Sequence, residues 1–480
     1  MRKLLFILFG FPLLALAQPG NYWTNSFNTE ASLLSGAVVG GNAEITAIFY
    51  NPAGIADIEE SRIDLNASLF NLEYKKYTNP LGEGTEMENW VFKVFPRFAS
   101  YLFQSKRVKH TSFQIAVFNK NSTQTSIYNR VRLSNTNISN QMFKEEYTGL
   151  FDLNSKFDDY WGSFGWSTRL NEKWSIGCSI NVSVQSLNYF RSATANITPV
   201  DNNPITDSIP RVSSNWQSYE KLKAYNWRLI GKLGILYKAK NWSSGLSLTL
   251  PSIRLFGDAD VNKTVSQSNI FHDGQFIDDF YHNEYPQYVY FKMQDPLSLS
   301  VGLRFSPTKS RSEYYFTMEY FMAIKEYQSI DPSRKTSDKS TLGSDFSAYN
   351  FGNRQIINFA VGYKLFLKEN LGFLAGFRTD FNPYIQGYNP KFWESNGFEN
   401  LNVDLFHLTG GVNFKYHKAA FVVGLQHSYG FKQNQTEFIN FSEPVAYNQD
   451  TKLALQGSRK NNMKYSYSSL GFYFSFSVSF

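Results

Sequence analysis

The sequence predicts an all-β fold: a transmembrane antiparallel β-barrel of fourteen strands, with the N-terminal segment as a plug in its lumen. Three observations predict it. First, 17% of the 480 residues are aromatic and only 18% are charged, which suits a barrel with an apolar outer face and aromatic girdles at both interfaces. Second, from Arg62 onward the chain is a series of segments rich in Phe, Tyr, Val, Ile, Ser and Gly, many alternating with period two. Third, the connections alternate between short and long, as in barrels with tight turns at one rim and loops at the other. Mean hydropathy is −0.35. Beyond the N-terminus no apolar run reaches the ~18 residues that a membrane helix needs.

Taken in order, Met1–Ala17 reads as a secretory signal. Arg2 and Lys3 form its n-region, Leu4–Leu14 its apolar core and Ala15-Leu16-Ala17 its cleavage site. With no Cys at that site, a lipoprotein anchor is not expected. Residues 18–61 are the expected plug and 62–480 the barrel. The expected strands are 62–74, 94–104, 110–118, 158–170, 173–190, 222–239, 241–255, 287–306, 312–326, 354–367, 370–380, 404–416, 419–430 and 464–480. Each approaches or exceeds the ~9–11 residues of a membrane strand. Long loops are expected at 75–93, 119–157, 191–221, 256–286, 327–353, 381–403 and 431–463. Pro96 is the candidate for a strand kink, because proline removes a ladder bond.

Alternation assigns faces. In the last strand Leu470, Phe472, Phe474, Phe476, Val478 and Phe480 face lipid, and Gly471, Tyr473, Ser475, Ser477 and Ser479 face the lumen. In 173–190, Trp174, Ile176, Cys178, Ile180, Val182 and Val184 oppose Ser175, Gly177, Ser179, Asn181, Ser183 and Gln185. The lone Cys178 rules out an intramolecular disulfide and a Cys-based zinc site. The formal charge of +7, or +5 once Arg2 and Lys3 leave with the signal, is spread along the chain, and no basic run points to nucleic acid.

A charge on a membrane strand is expected to point inward. Arg228, Lys232, Glu319 and Arg378 are therefore the candidate lumenal polar network, pairing with each other or bonding the plug. The parity of Glu319 is ambiguous. Phe271, Phe276, Phe280, Tyr281 and Tyr285 in one loop, and Phe381, Tyr384, Tyr388 and Phe392 in another, are candidates for capturing a hydrophobic ligand; an interfacial girdle or loop-on-loop packing is the commoner role for such residues. His272, Asp273, Asp278, Asp279 and His282 meet no metal-ligand spacing, so no metal is expected. His407 and His427 flank a hairpin turn, with Asp404 and Ser428 near, which keeps a hydrolase in view. No nucleophile elbow, phosphate loop, dinucleotide fingerprint or zinc-protease motif is present, and the expectation is a protein that is not an enzyme and needs no cofactor.

Gly41–Asp57 carries the most specific signal. Asn51 can cap a helix that Pro52 opens, and Asn42 can start a similar short helix carrying Ile45, Ile48 and Phe49. Asn51-Pro52-Ala53-Gly54 in this setting resembles the hatch of FadL-type outer-membrane transport proteins. The chain departs from many members in having Asn42-Ala43-Glu44 where they have an acidic pair. The resemblance implies a fourteen-stranded, monomeric barrel in the outer membrane of a Gram-negative-type cell. It implies passive uptake of hydrophobic compounds such as long-chain fatty acids: loops adsorb the ligand, a lumenal pocket binds it, and a hatch shift at Asn51, Pro52, Ala53 and Gly54 opens a lateral route into the membrane. The implied partners are membrane lipids, the hydrophobic ligand and, through the terminal strand ending at Phe480, the outer-membrane assembly machinery. The alternative is a FadL-like scaffold for protein secretion or surface attachment, which long polar loops such as 119–157 and 431–463 would fit. A general diffusion porin is disfavoured by the plug.

Overall fold

The structure is a computed structural model that describes residues 20–23, 27, 29–58, 60–104, 110–140, 144–200, 212–332, 346–383, 403–449 and 453–479. The signal at 1–17, Tyr384, Tyr388, Phe392 and Phe480 lie outside the described residues. Fourteen strands form one barrel. They are β1 (Arg62–Thr78), β2 (Glu86–Gln104), β3 (Thr111–Thr136), β4 (Glu145–Arg169), β5 (Trp174–Pro199), β6 (Ser214–Lys238), and β7 in two pieces (Trp242–Thr249, Ile253–Ser268). There follow β8 (Val289–Phe291, Ser298–Phe305), β9 (Ser312–Phe321, Ile324–Asp331), β10 (Tyr349–Asn353, Ile356–Lys368), β11 (Leu371–Asp380), β12 (Leu405–Tyr416), β13 (Ala419–Gln435) and β14 (Met463–Ser479). Each pairs antiparallel with the next, and β1 pairs with β14 from Arg62↔Ser479 to Thr78↔Lys464, which closes the ring. Closure leaves no open edge, which a bilayer without hydrogen-bonding partners demands.

The strands run well past the membrane. The inward residues of β5 are polar or small from Ser175 to Gln185, then apolar at Leu187, Tyr189, Ala193, Ala195 and Ile197. Its outward residues are apolar from Trp174 to Val184, then mostly polar at Ser186, Asn188, Ser192, Thr194 and Asn196. The same inversion occurs in β4, where Ser163 and Ser167 lie inside below Phe157, Leu153, Phe151 and Tyr147. The turn-end half is therefore a membrane barrel with a polar interior. The loop-end half is built like a water-soluble barrel, with its apolar core inside.

That inversion corrects the expected loops. Residues 119–157 and 191–221 are mostly strand: β3 reaches Thr136, β4 begins at Glu145, β5 reaches Pro199 and β6 begins at Ser214. Much of 75–93 and the first half of 256–286 are strand as well. The outer face there carries Asn, Lys, Asp and Arg, which read as loop residues when only a lipid-facing strand is sought. At Pro96 the β1–β2 register slips, from Asn66↔Phe98 to Ala67↔Pro96, and it slips again between Ser68↔Phe95 and Asn71↔Lys93.

The two halves predict opposite sensitivities on one strand. Ile180→Arg, outward at the middle of the apolar series, should cost about 2–4 kcal/mol, and Ser192→Arg, outward above it, should stay within about 0.5 kcal/mol. Urea titrations of tryptophan fluorescence in lipid vesicles check both values. Equal losses would contradict the placement of the lipid boundary.

Candidate functional site

The N-terminal segment is a chain of short helices: α1 (Glu30–Leu33), a 3-10 turn (Glu44–Thr46), α2 (Ala47–Tyr50) and a second 3-10 helix (Pro52–Asp57). Asn51 sits between the last two in extended backbone, φ −152° and ψ 103°, with Pro52 opening the helix behind it. Its Oδ1 accepts from the Ala53 N–H at 3.1 Å. Its Nδ2 donates to the Val39 carbonyl at 2.9 Å and to the Ile235 carbonyl of β6 at 3.1 Å. One side chain thus caps the helix, ties two parts of the segment together and fixes both to the wall.

The segment's other carbonyls are held by inward side chains around the ring. Gln114 donates to Ile45 at 2.6 Å, Ser179 to Ile48 at 3.2 Å, Ser167 to Ala53 at 3.0 Å, Arg169 to Ala56 at 3.1 Å and Thr409 to Leu33 at 2.7 Å. Lys232 donates to the Phe49 carbonyl and lies 4.6 Å from the centre of the Phe49 ring. Lys364 pairs with Glu30 at 2.6 Å. Because these partners come from β3, β4, β5, β6, β10 and β12, the segment lies inside the ring. Inward glycines let it approach. A Cβ on Gly234 would stand 2.2 Å from Asn51 Oδ1, and one on Gly245 would stand 1.9 Å from the Val39 carbonyl oxygen.

Above the segment lies a polar cluster. Arg228 is buried and pairs with Asp159 and Asp295, each at 2.9 Å. Lys120 reaches Asp295 at 3.4 Å, and Ser183 and the Trp161 indole donate to Asp159 at 2.6 and 3.1 Å. Glu319 faces inward and accepts from the Trp23 indole at 2.7 Å and from Ser298 at 2.6 Å. Of the four residues expected to form a lumenal network, Lys232 and Glu319 therefore bond the N-terminal segment, and Arg228 pairs with aspartates. Arg378 is buried and adjoins His407 in register on the next strand. Asp159 and Asp295 fall inside the expected strands 158–170 and 287–306 but went unrecognised as partners of Arg228. The cavity between Trp23, Phe49, Tyr50, Lys232 and Glu319 is about 50 Å³, space for a few waters and far below the ~300 Å³ of a small ligand site.

The remaining candidates separate. His407 faces inward, its Nδ1 2.7 Å from Ser428 Oγ and 3.2 Å from Gln426 Nε2, with Nε2 3.8 Å from Asp380 Oδ2. Asp380 also accepts the Trp23 N–H at 2.9 Å, so this cluster belongs to the anchoring of the segment. His427 points outward, one residue out of phase, and Asp404 accepts the Asn382 N–H at 2.8 Å. Phe271 is buried beneath Phe276, their rings 5.1 Å apart, while Tyr281 is 72% exposed on a short strand, Phe280–Glu284, beside β7. Phe381 lies in the connection just past β11 and packs against the cluster of Tyr22, Phe321 and Ile356. Among the described residues no three His, Cys, Asp or Glu side chains are placed to hold a metal.

One seam interrupts the wall. β2 and β3 share backbone pairing only over Phe98–Gln104 and Ser112–Phe118. Higher up, side chains bridge them. Lys93 donates to the Ser122 carbonyl at 3.1 Å, Asn89 to Ser126 at 2.6 Å and Asn129 to Glu86 at 2.7 Å; Lys75 reaches the Gln124 carbonyl. Glu73 joins the two lysines at 2.8 and 3.6 Å. Outside, Trp90 and Phe92 are 61% and 65% exposed. Inside is a small cavity that Gly20, Asn21, Glu73 and Lys75 help to line.

Solved structures share this architecture over almost the whole chain. A Pseudomonas aeruginosa FadL homologue superposes with a TM-score of 0.55 at 12% identity, covering 96% of this chain and 100% of that one. The monoaromatic hydrocarbon channel CymD does so at 0.51 and 15%, covering 95% and 98%. The P. putida toluene transporter TodX does so at 0.51 and 16%, covering 90% and 94%. No family model matches the sequence, and no curated protein does. The fold is that of the FadL-type outer-membrane barrels.

Two variants test the site. Gly245→Ala should unseat the segment, so that planar-bilayer recordings show openings absent from the parent; silent bilayers would mean the contact is dispensable. Arg228→Met leaves two buried carboxylates short of their cation and should lower stability by about 3–5 kcal/mol, read by urea unfolding in vesicles.

Proposed function

We propose that this barrel is an outer-membrane channel for passive uptake of hydrophobic compounds, with residues 18–61 as its plug and Asn51, Pro52, Ala53 and Gly54 as the hatch that gates it. The observation that carries the reading is that the chain's own segment crosses the lumen, and the cavity left beside it at Trp23 and Phe49 is about 50 Å³, too small for a ligand site. A diffusion porin needs an open lumen. A gated carrier needs a seat that can be vacated, and this seat is made of side-chain-to-carbonyl bonds that other partners could replace. The resemblance of the hatch motif favours long-chain fatty acids. The printed names of the neighbours extend the candidates to toluene-sized aromatic hydrocarbons.

The seam between β2 and β3 is the natural lateral exit. It lies beside apolar, exposed Trp90 and Phe92 and is closed by four side chains rather than a ladder. The scaffold alternative rested on long polar loops at 119–157 and 431–463. The first of these is mostly strand, and the core of the second turns inward, so no observation favours that reading.

The test is cellular uptake of a labelled long-chain fatty acid and of labelled toluene, in a deletion strain complemented with the parent, Asn51→Ala/Pro52→Ala, or Lys93→Met. Each protein is first shown to reach the outer membrane. The parent should restore uptake of at least one compound, the hatch variant should change its rate at least tenfold, and Lys93→Met, which removes a staple from Ser122, should raise it. No uptake by the parent refutes the function. Unchanged rates in the hatch or lysine variant refute the gate or the lateral exit respectively.

A further inference from the structure

The connection between β13 and β14 does not stand out into solvent. Its flanks are polar, from Gln433 to Glu437 and again at Ser442 and Glu443. Between them Phe438, Ile439 and Phe441 turn down into the mouth of the barrel and are buried, Ile439 and Phe441 completely. Phe438 stacks on Phe151 with centroids 5.4 Å apart and lies 5.5 Å from Tyr77. Phe441 lies 6.3 Å from Tyr147, over Gly149, where a Cβ would stand 2.5 Å from its ring. The wall is thus shaped for an aromatic group at that point.

Among the described residues, no strand ladder ties this part of the loop to the barrel wall. The Phe438 and Phe441 N–H groups each donate at 2.9 Å, to the carbonyls of Pro80 and Leu81, and Tyr147 donates to the Leu455 carbonyl at 2.8 Å. Ser442 Oγ also donates to the Leu81 and Glu83 carbonyls at 3.3 and 3.0 Å, and Arg191 of β5 to the Phe438 carbonyl at 3.4 Å; none of these bonds belongs to a ladder with the wall. Below them the Tyr465 hydroxyl is buried beside Tyr77 with no hydrogen-bond partner among the described residues. A buried hydroxyl without a partner is an unmet polar requirement in an apolar chamber.

Without the loop, the loop-end half would present Tyr77, Tyr147, Phe151 and Leu153 to water as an open aromatic chamber. That is the reverse of a water-filled pore. It is the environment that an apolar solute leaves water to enter. We propose that this chamber is a ligand site for apolar molecules, the first on the route inward, and that Phe438, Ile439 and Phe441 occupy it as the chain's own surrogate ligand. The inference rests on the uptake reading above and adds a second, outer gate to it. An entering molecule takes the place of two aromatic rings and one branched alkyl group, and the Tyr465 hydroxyl meets any hydrogen-bonding atom it carries. A molecule too small to replace them leaves the loop seated, so the loop selects against small solutes.

The test uses the purified full chain in nanodiscs and the neutral apolar fluorophore N-phenyl-1-naphthylamine, with empty nanodiscs subtracted. Phe438→Ala/Phe441→Ala should bind the probe at least tenfold more tightly than the parent, and Phe438→Leu/Phe441→Leu, which keeps the chamber filled, should stay near it. Heat-modifiable migration on gels shows that each barrel is folded. In the parent itself, saturating probe should raise amide hydrogen exchange across 436–446. Equal affinities in folded alanine variant and parent, or unchanged exchange at saturation, overturn the proposal; if the alanine variant fails to fold, the exchange measurement on the parent decides alone. A parent that releases its loop to the probe but restores no uptake in cells fails as a transporter while the site stands. A parent that restores uptake while its loop stays protected fails this inference only.

Discussion

A bilayer offers no hydrogen-bond partner to a backbone group, and this one constraint organises the molecule. It requires the wall to close, which the pairing of β1 with β14 accomplishes. At the β2–β3 seam the ladder stops above Phe98 and Phe118, and Lys93, Asn89 and Asn129, with Lys75 of β1, supply side-chain donors to the strand carbonyls instead. The short helices of the N-terminal segment cannot satisfy all their own carbonyls, and these are buried in the lumen. Gln114, Ser167, Arg169, Ser179 and Lys232 supply the donors. The polar inner face is therefore the hydrogen-bonding complement of the segment it encloses.

The same chain solves the opposite problem a few residues further along each strand. Beyond the lipid boundary the outer face meets water, so apolar side chains gain by turning inward. In β5 the switch falls between Gln185 and Leu187 on the inner face and between Val184 and Ser186 on the outer. No turn or break marks it; the strand simply exchanges the character of its two faces. One consequence is that the two interiors are chemically distinct. The turn-end lumen holds a segment by polar bonds. The loop-end chamber holds Phe438, Ile439 and Phe441 by packing.

This inversion also explains what was legible in the sequence. All fourteen membrane strands could be located, because lipid on one side and a Gly/Ser-lined lumen on the other force a clean alternation. The upward extensions could not, because their outward Lys156, Asn154 and Asp152 carry the composition of loops. The capping role of Asn51 and the position of Pro52 were readable, being local. The partners of Arg228 were not. Asp159 lies two strands away on β4 and Asp295 in the break of β8, and only the pairing of the strands between brings them to it. The inward direction of Glu319 depended on a parity that the neighbouring Tyr315 and Phe321, both inward and aromatic, concealed. The run Phe438-Ile439-Asn440-Phe441 was a readable signal, four residues apolar but for one Asn amid polar flanks, and it was submerged in the average polarity of its loop.

Which parts can move follows from how their bonds are made. A ladder exchanges two backbone groups per residue pair, and opening it in lipid strands both, so the paired wall is fixed. Bonds from side chains to carbonyls are different. The side chain can swing to another acceptor, and the carbonyl can take another donor or water, so the net cost of exchange is about 0.5–1.5 kcal/mol for each neutral bond. Three features of this barrel are held without a full ladder to the wall: the N-terminal segment and the β2–β3 seam by such side-chain bonds, and the β13–β14 loop by apolar packing, side-chain bonds and two backbone bonds to the Pro80–Leu81 turn. They lie in the middle of the lumen, in the wall and at the mouth. A solute passing from the mouth through the lumen to the side of the barrel would meet all three, and would meet no ladder.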